Sequence, residues 1–384
     1  MKIIVASSSA TSFNQACLEI FTKISQIETP AGLIYFCPQS CFAEFTRQLT
    51  LKYPAAKSIG ASSTHLHCGS KSSSALFSVT AFSDEYEFAG GIIDDIRRYP
   101  KKHVSEIEAH IKELSSAENT ICLEFITQGS SSEELVLAAL DDACSKYDIP
   151  VLGGTADCRE DIKPKVTSIA VNGNVYTNQA AYMCIHNKSG KISIIRETAF
   201  KEEAQTFVIT SADVERRIVL DLNGRHAAQV LSEYFNCSVD KLSQKMIRYQ
   251  VGHTTSKGIF ISGFDKVIDG KNIKLGTRVY SNTTIHIYKF DDVEMCTKRT
   301  IAQIKNEIPN PSLVLLIHCK KRAGIYAKGL YLDEKDPQYG KTDFLVEFNR
   351  LYASSFPNVT GFTARGEQIG LRQTNLSLLA VAFE

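Results

Sequence analysis

Four side chains near the C-terminus stand out for their chemistry: Cys319, Arg322, Arg365 and Glu367. Cys319 closes the apolar run SLVLLIHC (312–319), and Arg322 follows it in KKR. Arg365 and Glu367 sit in the polar turn of VTGFTARGEQIG (359–370). An arginine presents a planar fork that takes a carboxylate through two parallel hydrogen bonds, and a glutamate can take an ammonium group. Together they suit an amino acid. Arg322 and Glu367 equally suit a structural ion pair that pins two loops. Gly361 and Thr363 lie just before the turn, and a glycine there lets a ligand or another backbone approach closely. The same arrangement recurs at Gly60 and Thr64 in SIGASST (58–64), and at Gly153, Thr155 and Asp157 in VLGGTAD (151–157). Taken singly, each of these residues is also explained by a turn with side chain-to-backbone bonds.

Two other chemistries attach to these residues and their neighbours. Cys319 precedes Lys320, Lys321 and Arg322, cations that would lower a thiol pKa and favour a nucleophile. His318 alternates to the opposite face of the strand, which makes it a poor base for that thiol. An acyl-transfer or hydrolase enzyme using Cys319 is therefore the alternative to a binding protein. His65, His67 and Cys68 have metal-like types. In an extended segment the two histidines share a face, Cys68 points away, and no fourth ligand is evident.

The elements that carry these residues repeat. Strand 32–38, helix 40–53 and the glycine stretch 58–64 form one unit. Strand 120–127, helix 128–147 and the stretch 151–156 form a second. Strand 312–319, the polar insertion KKRAGIYAKGLYLDEKDPQYG, helix 342–356 and the stretch 358–362 form a third. A strand, a helix and a second strand favour a parallel crossover. Strand 312–319 is thus expected beside and parallel to 358–362, and 120–127 likewise beside 150–153. Each second strand is expected to stop on its glycine. The C-terminal ends of parallel neighbours share one edge of the sheet, beyond which ligands bind. Ser130 to Glu134 reads as overlapping capping boxes at the second helix. Asn172-Gly173 and Asp269-Gly270 supply the positive-φ pairs of tight hairpins. SKSSS (70–74) reads as a surface loop.

The fold class is mixed α/β, or α+β. Strand–helix–strand units combine with antiparallel hairpins, in two related domains packed as layered sheets and helices. The charged stretch 187–216 marks the division, giving domains 1–200 and 201–384.

Composition narrows the class. Lys plus Arg is 43 against 42 Asp plus Glu, so no basic excess points to nucleic acid or a membrane surface. The 11 cysteines are irregularly spaced, many inside apolar runs, and no C-x-x-C occurs, as expected of core thiols in a reducing cytoplasm. The start, MKIIVASSSAT, has too short an apolar run for a signal peptide and reads as a strand. No run approaches a bilayer span.

The order of motifs resembles the FIST family, from about residue 30 to the end. The N-terminal pattern is carried by Gly60 to Thr64, Ser131-Ser132-Glu133-Glu134, Gly153 to Asp157, and Asn172-Gly173. The C-terminal pattern is carried by Gly224 to Ala227, Cys319 to Arg322, Gly361-Phe362 and Gly366-Glu367 with Ile369. The tail departs from it in two places: one residue, Gln368, intrudes before Ile369, and Asn375 is followed by Leu376. The resemblance implies a FIST N-type and a FIST C-type domain in a non-catalytic sensory protein that binds a small polar ligand such as an amino acid. It admits haem, with His65, His67 and His253 as axial candidates, but no cofactor is expected. With no residues set aside for an output domain, a separate output partner is expected, and the residues do not speak to oligomeric state.

Overall fold

The computed structural model describes residues 2–129, 131–159 and 166–384. Its mixed α/β architecture agrees with the expected class. The first repeat comprises β1 (Ile3–Ser8), α1 (Phe13–Ile24), β2 (Gly32–Cys37), α2 (Phe42–Lys52), β3 (Lys57–Ser62), the hairpin β4 (Leu66–Cys68) and β5 (Lys71–Ser73), and β6 (Phe77–Phe82). The second follows the same order: β7 (Tyr86–Ile93), α3 (Val104–Glu113), β8 (Thr120–Ile126), α4 (Glu133–Cys144), β9 (Val151–Thr155), the hairpin β10 (Ile169–Val171) and β11 (Asn174–Tyr176), and β12 (Ala180–Asn187).

The third repeat opens with β13 (Ile192–Thr198) and is then interrupted. The interruption holds β14 (Phe200–Asp213), β15 (Ile218–Leu222), β16 (Arg225–His226), α5 (Ala227–Tyr234), α6 (Val239–Arg248), β17 (Tyr249–Thr255), β18 (Gly258–Ile261), β19 (Phe264–Ile268), β20 (Asn272–Leu275) and β21 (Thr283–Phe290). The repeat resumes with α7 (Val293–Glu307), β22 (Leu313–Cys319), α8 (Lys320–Ala327), α9 (Phe344–Ser355), β23 (Val359–Ala364), the hairpin β24 (Glu367–Ile369) and β25 (Arg372–Thr374), and β26 (Ser377–Phe383).

Among the described residues the strands form four sheets, ordered β1-β6-β2-β3-β10-β11, β7-β12-β8-β9-β24-β25, β13-β26-β22-β23-β4-β5, and the inserted sheet β14–β21. In each repeat the crossover strands are parallel neighbours: β2 with β3, β8 with β9, β22 with β23. Each hairpin then leaves its own sheet and pairs with the next: β10 on β3, β24 on β9, β4 on β23. The three repeats are closed into a ring by this exchange.

Strand pairing joins residues 1–200 to residues 201–384. β13 lies in the first stretch yet pairs with β26 of the second, and the chain enters the inserted sheet at Phe200 and comes back to the third sheet at Leu313. The charged stretch 187–216 is the crossing, formed by β13 and β14.

The inward faces of the three repeat sheets share one core, with Ile34, Phe36, Leu123, Phe125, Ile317 and Phe362 at its centre. Phe36, Phe125 and Phe362 meet around the axis, with ring centroids 4.6, 5.3 and 5.6 Å apart. Such aromatic pairs each contribute about 0.5–1.5 kcal/mol beyond the burial of their area. Helices cover the outer faces: α1 and α2 on the first sheet, α3 and α4 on the second, α7 to α9 on the third.

Several local expectations change. SKSSS contains the edge strand β5, because the two-residue turn Gly69-Ser70, with positive φ at Gly69, folds the chain back on β4 as a hairpin. The polar insertion after β22 opens with α8, whose Arg322, Ala323, Ile325 and Tyr326 are buried at helical spacing. An arginine on the apolar stripe had hidden that period. Ser130 lies outside the described residues, and α4 starts at Glu133 behind Ser132. The hairpin turns hold, with positive φ at Asn172, Gly173, Asp269 and Gly270.

The glycines do not end their strands. Gly60, Gly153 and Gly361 lie inside β3, β9 and β23, opposite Tyr35, Glu124 and Leu316. A methyl on Gly153 or Gly361 would overlap the backbone oxygen of Glu124 or Leu316, whereas on Gly60 it would meet the ring of Tyr35. Backbone cannot withdraw without disturbing the parallel ladder. Gly153→Ala and Gly361→Ala should therefore each cost about 1–3 kcal/mol in urea unfolding, and more than Gly60→Ala. Equal stability of all three variants and the parent would contradict the close-approach reading.

Candidate functional site

The register makes Gly60, Gly153 and Gly361 equivalent, so the residues four positions on are equivalent too: Thr64, Asp157 and Arg365. They converge beyond the C-terminal ends of the strands. Asp157 is fully buried. It accepts hydrogen bonds from the Thr64 hydroxyl, from Arg365 Nε at 3.0 Å and from Lys320 Nζ at 2.8 Å. Backbone bonds lock the same ring: Asp157 N donates to Ser62 O at 2.9 Å, and Arg365 N donates to Thr155 O at 2.9 Å. An isolated carboxylate could not remain charged there; two cations and a hydroxyl replace its lost water.

A cleft of about 530 Å³ opens beside this ring, between the second and third repeats and the inserted sheet. Lys320, Lys321, Arg365 and Thr155 line one side; Phe264, Asp265 and Lys274 line the other. At one end Arg217 donates to Glu133 and Glu134 at 2.5 and 2.8 Å, and to Gly276 O at 2.7 Å. That network fastens the inserted sheet to the start of α4. The Lys321 side chain is exposed, but its Nζ donates to Phe264 O across the cleft, and the loss of water around the ammonium pushes it below the ordinary lysine range. With Lys274, Lys320, Lys321 and Arg365 against Asp265, the lining is cationic and matches a ligand bearing a carboxylate. Asp265 offers a partner for an ammonium group.

The sequence candidates separate into two groups. Thr64, Thr155, Asp157 and Arg365 belong to the ring or the cleft wall. Thr363 also joins the ring, its N–H donating to His65 O at 2.9 Å, with Ser63 Oγ donating to Thr363 O at 2.9 Å. Arg322, Glu367 and Gly361 lie below, out of reach of solvent. Arg322 is 0% exposed, pairs with Glu197 of β13, and donates from Nε to Tyr326 Oη at 2.9 Å. Its salt-bridge partner is thus Glu197, which lies on the far side of the insertion in sequence. Glu367 accepts from Ser377 N at 3.1 Å and Ser377 Oγ at 2.7 Å. It stands at the register position that Leu66 and Ile169 occupy in the other repeats, so a carboxyl replaces an apolar core residue.

Cys319 touches the cleft floor but is only 2% exposed. Burial, and then the neighbouring Glu367, push its thiol well above the ordinary range. The flanking lysines therefore do not make it a thiolate; desolvation outweighs them. His318 lies on the opposite face, its ring 5.4 Å from that of His67, and His67 meets Asn349 through Nδ1 at 2.7 Å. Among the described residues no three His, Cys, Asp or Glu side chains gather as a metal site. His253 is held by Thr284 O at 2.9 Å. Lys274 and Asp265 were not found from the sequence, because they reach the cleft only through the fold of the insertion. Lys320 and Lys321 were noticed for their effect on Cys319, and their place at the end of a crossover strand was the signal for a cleft role.

Fold and cleft together define an α/β protein of three ring-closed repeats with a cationic recess at its strand ends. No helix among the described residues is long and apolar enough to cross a membrane. The family model for the FIST N domain matches residues 31–225, just over half of the chain. The chain belongs to the FIST family, a family of sensory domains. No curated protein matches it.

Glu367 provides a pH test. Burial pushes its carboxyl up to about 8, against the donors on Ser377, while in the unfolded chain it titrates near 4.3. The raised value means that the folded state holds the proton more tightly. Its contribution is full below about pH 4 and is lost as the pH rises towards 8. Glu367→Gln should remove that loss, gaining on the order of 3 kcal/mol relative to the parent between pH 5 and 8 in urea unfolding. A constant difference across that range would show an unshifted carboxyl.

Proposed function

We propose that this protein is a non-catalytic cytoplasmic sensor that binds a small carboxylate-bearing metabolite, an amino acid or a close relative, in the cleft beside Asp157. Occupancy is passed to a separate output protein, and no cofactor takes part. The observation that carries this reading is the placement of Lys320, Lys321 and Arg365 at the shared C-terminal edge of two crossover units, where ligands of open parallel sheets are received. Family membership supports the sensory role. A raised thiol pKa at Cys319 and an opposed His318 weigh against the nucleophilic alternative.

The ligand-anchoring role that the sequence suggested for Arg322 and Glu367 passes in this reading to Arg365, Lys320 and Lys321. The inserted sheet closes the far side of the cleft, so a ligand there would touch both bodies. That gives occupancy a route to the surface of residues 200–290.

The test is calorimetric titration with a panel of amino acids and their des-amino analogues. Lys321→Ala should weaken a carboxylate ligand about tenfold, the loss of one charge-assisted hydrogen bond. Arg322→Lys should lower thermal stability and leave affinity unchanged, since Arg322 serves the buried pair with Glu197. Unchanged affinity in Lys321→Ala and in Arg365→Lys, for every ligand that binds, would remove this cleft as the site.

A further inference from the structure

The cleft at the seam between the second and third repeats holds one charge that the protein leaves unanswered. Of the cations that line it, Arg217 is taken by Glu133 and Glu134, Lys320 and Arg365 reach Asp157, and Lys321 donates to Phe264 O. Lys274 lines the cleft as well, on the wall opposite Lys320, Lys321 and Arg365, and makes no hydrogen bond or ion pair with any described residue. Its backbone is braced nonetheless. At Lys274, β20 pairs with Ile218 of β15 and with Lys266 of β19, and the next residue, Leu275, donates from N to Arg217 O at 2.9 Å. Arg217 is in turn fastened to the start of α4.

Asp265 stands on the same wall. Strand pairing slips by one residue between Phe264 and Lys266, so Asp265 is the extra residue of a β-bulge, a device that re-aims a side chain. Its carboxylate makes no hydrogen bond or ion pair with any described residue, but it lies near enough to Lys321 to favour that ammonium's charged form. An α-amino acid carries its ammonium and its carboxylate on one carbon, so their partners must be neighbours, as Asp265 and Lys321 are. Lys274 is then left over, a cation with nothing to bind in the part that all amino acids share.

We propose that the ligand of the cleft is an acidic amino acid, its side-chain carboxylate taken by Lys274 while Lys321 and Asp265 take its α-carboxylate and α-ammonium. This rests on the reading of the cleft given above and narrows it from any carboxylate to an α-amino dicarboxylate. A neutral side chain leaves Lys274 without a partner, and a basic one meets a like charge there.

The probes are L-aspartate and L-glutamate, each against its own amide, L-asparagine or L-glutamine, in calorimetric titration of the full-length protein at fixed ionic strength. In the parent at least one acid should bind about tenfold tighter than its amide, the difference of one charge-assisted hydrogen bond. Lys274→Met should erase that preference by weakening the acid and should change the amide little. Lys274→Arg should keep the preference, and Lys274→Glu should turn it over in favour of the amide. Equal binding of both acids and their amides in the parent, or a preference that survives Lys274→Met, would overturn the proposal. If Lys321→Ala still weakens acid and amide alike, the cleft itself stands as the site. Absence of binding by all four probes would also overturn the proposal, and would leave the cleft to be judged on the other carboxylates of the wider panel.

Discussion

The buried charge of Asp157 is the constraint around which the strand ends are arranged. A carboxylate removed from water must be neutralised and hydrogen-bonded, or it will not stay charged. Here each repeat meets part of that requirement: Thr64 from the first, and Arg365 and Lys320 from the third, converge on the Asp157 of the second. The bonds hold together three loops that are far apart in sequence. They also fix two cations at the rim of the cleft, so the same interaction that closes the ring shapes the recess beside it.

The ring is possible because of smaller features repeated in each unit. A glycine inside each second strand admits its parallel neighbour closely, and a short hairpin then leaves to pair with the next sheet. Three inward faces can then share one core centred on Phe36, Phe125 and Phe362. Departures from the repeat are informative. Where two repeats place Leu66 and Ile169, the third places Glu367, and where two place Tyr35 and Leu316, the second places Glu124. Both carboxyls are fully buried and pushed upward by burial. Both lie on strands that flank β9, the strand that leads into Asp157, so the acidic exceptions collect around the seam that carries the cationic cleft.

Much of this was legible in the sequence. The parallel pairing of each crossover followed from apolar runs, prolines and helical spacing, and the hairpins followed from Asn172-Gly173 and Asp269-Gly270. Thr64 and Asp157 were picked out as polar residues just past a glycine-bearing strand, and Arg365 as a charge in the turn that follows one. Their meeting was not legible, because it depends on the exchange of three-residue strands between sheets, and segments so short carry no periodicity. The inserted sheet was read as part of a second half, since nothing local in 187–216 says that the chain will return to the sheet it left. Arg322 was misleading for a related reason. Its charge suggests a ligand, but the buried Glu197 that satisfies it sits across the whole insertion.

The claim that most of this rests on is that Asp157 couples the first and third repeats. The most direct measurement is a double-mutant cycle in urea unfolding with Thr64→Val and Arg365→Met, repeated in an Asp157→Ala background. Through a shared buried carboxylate the two substitutions should be non-additive by about 0.5–3 kcal/mol in the parent, and additive once Asp157 is removed. Additivity in the parent, or coupling that survives without Asp157, would contradict the account.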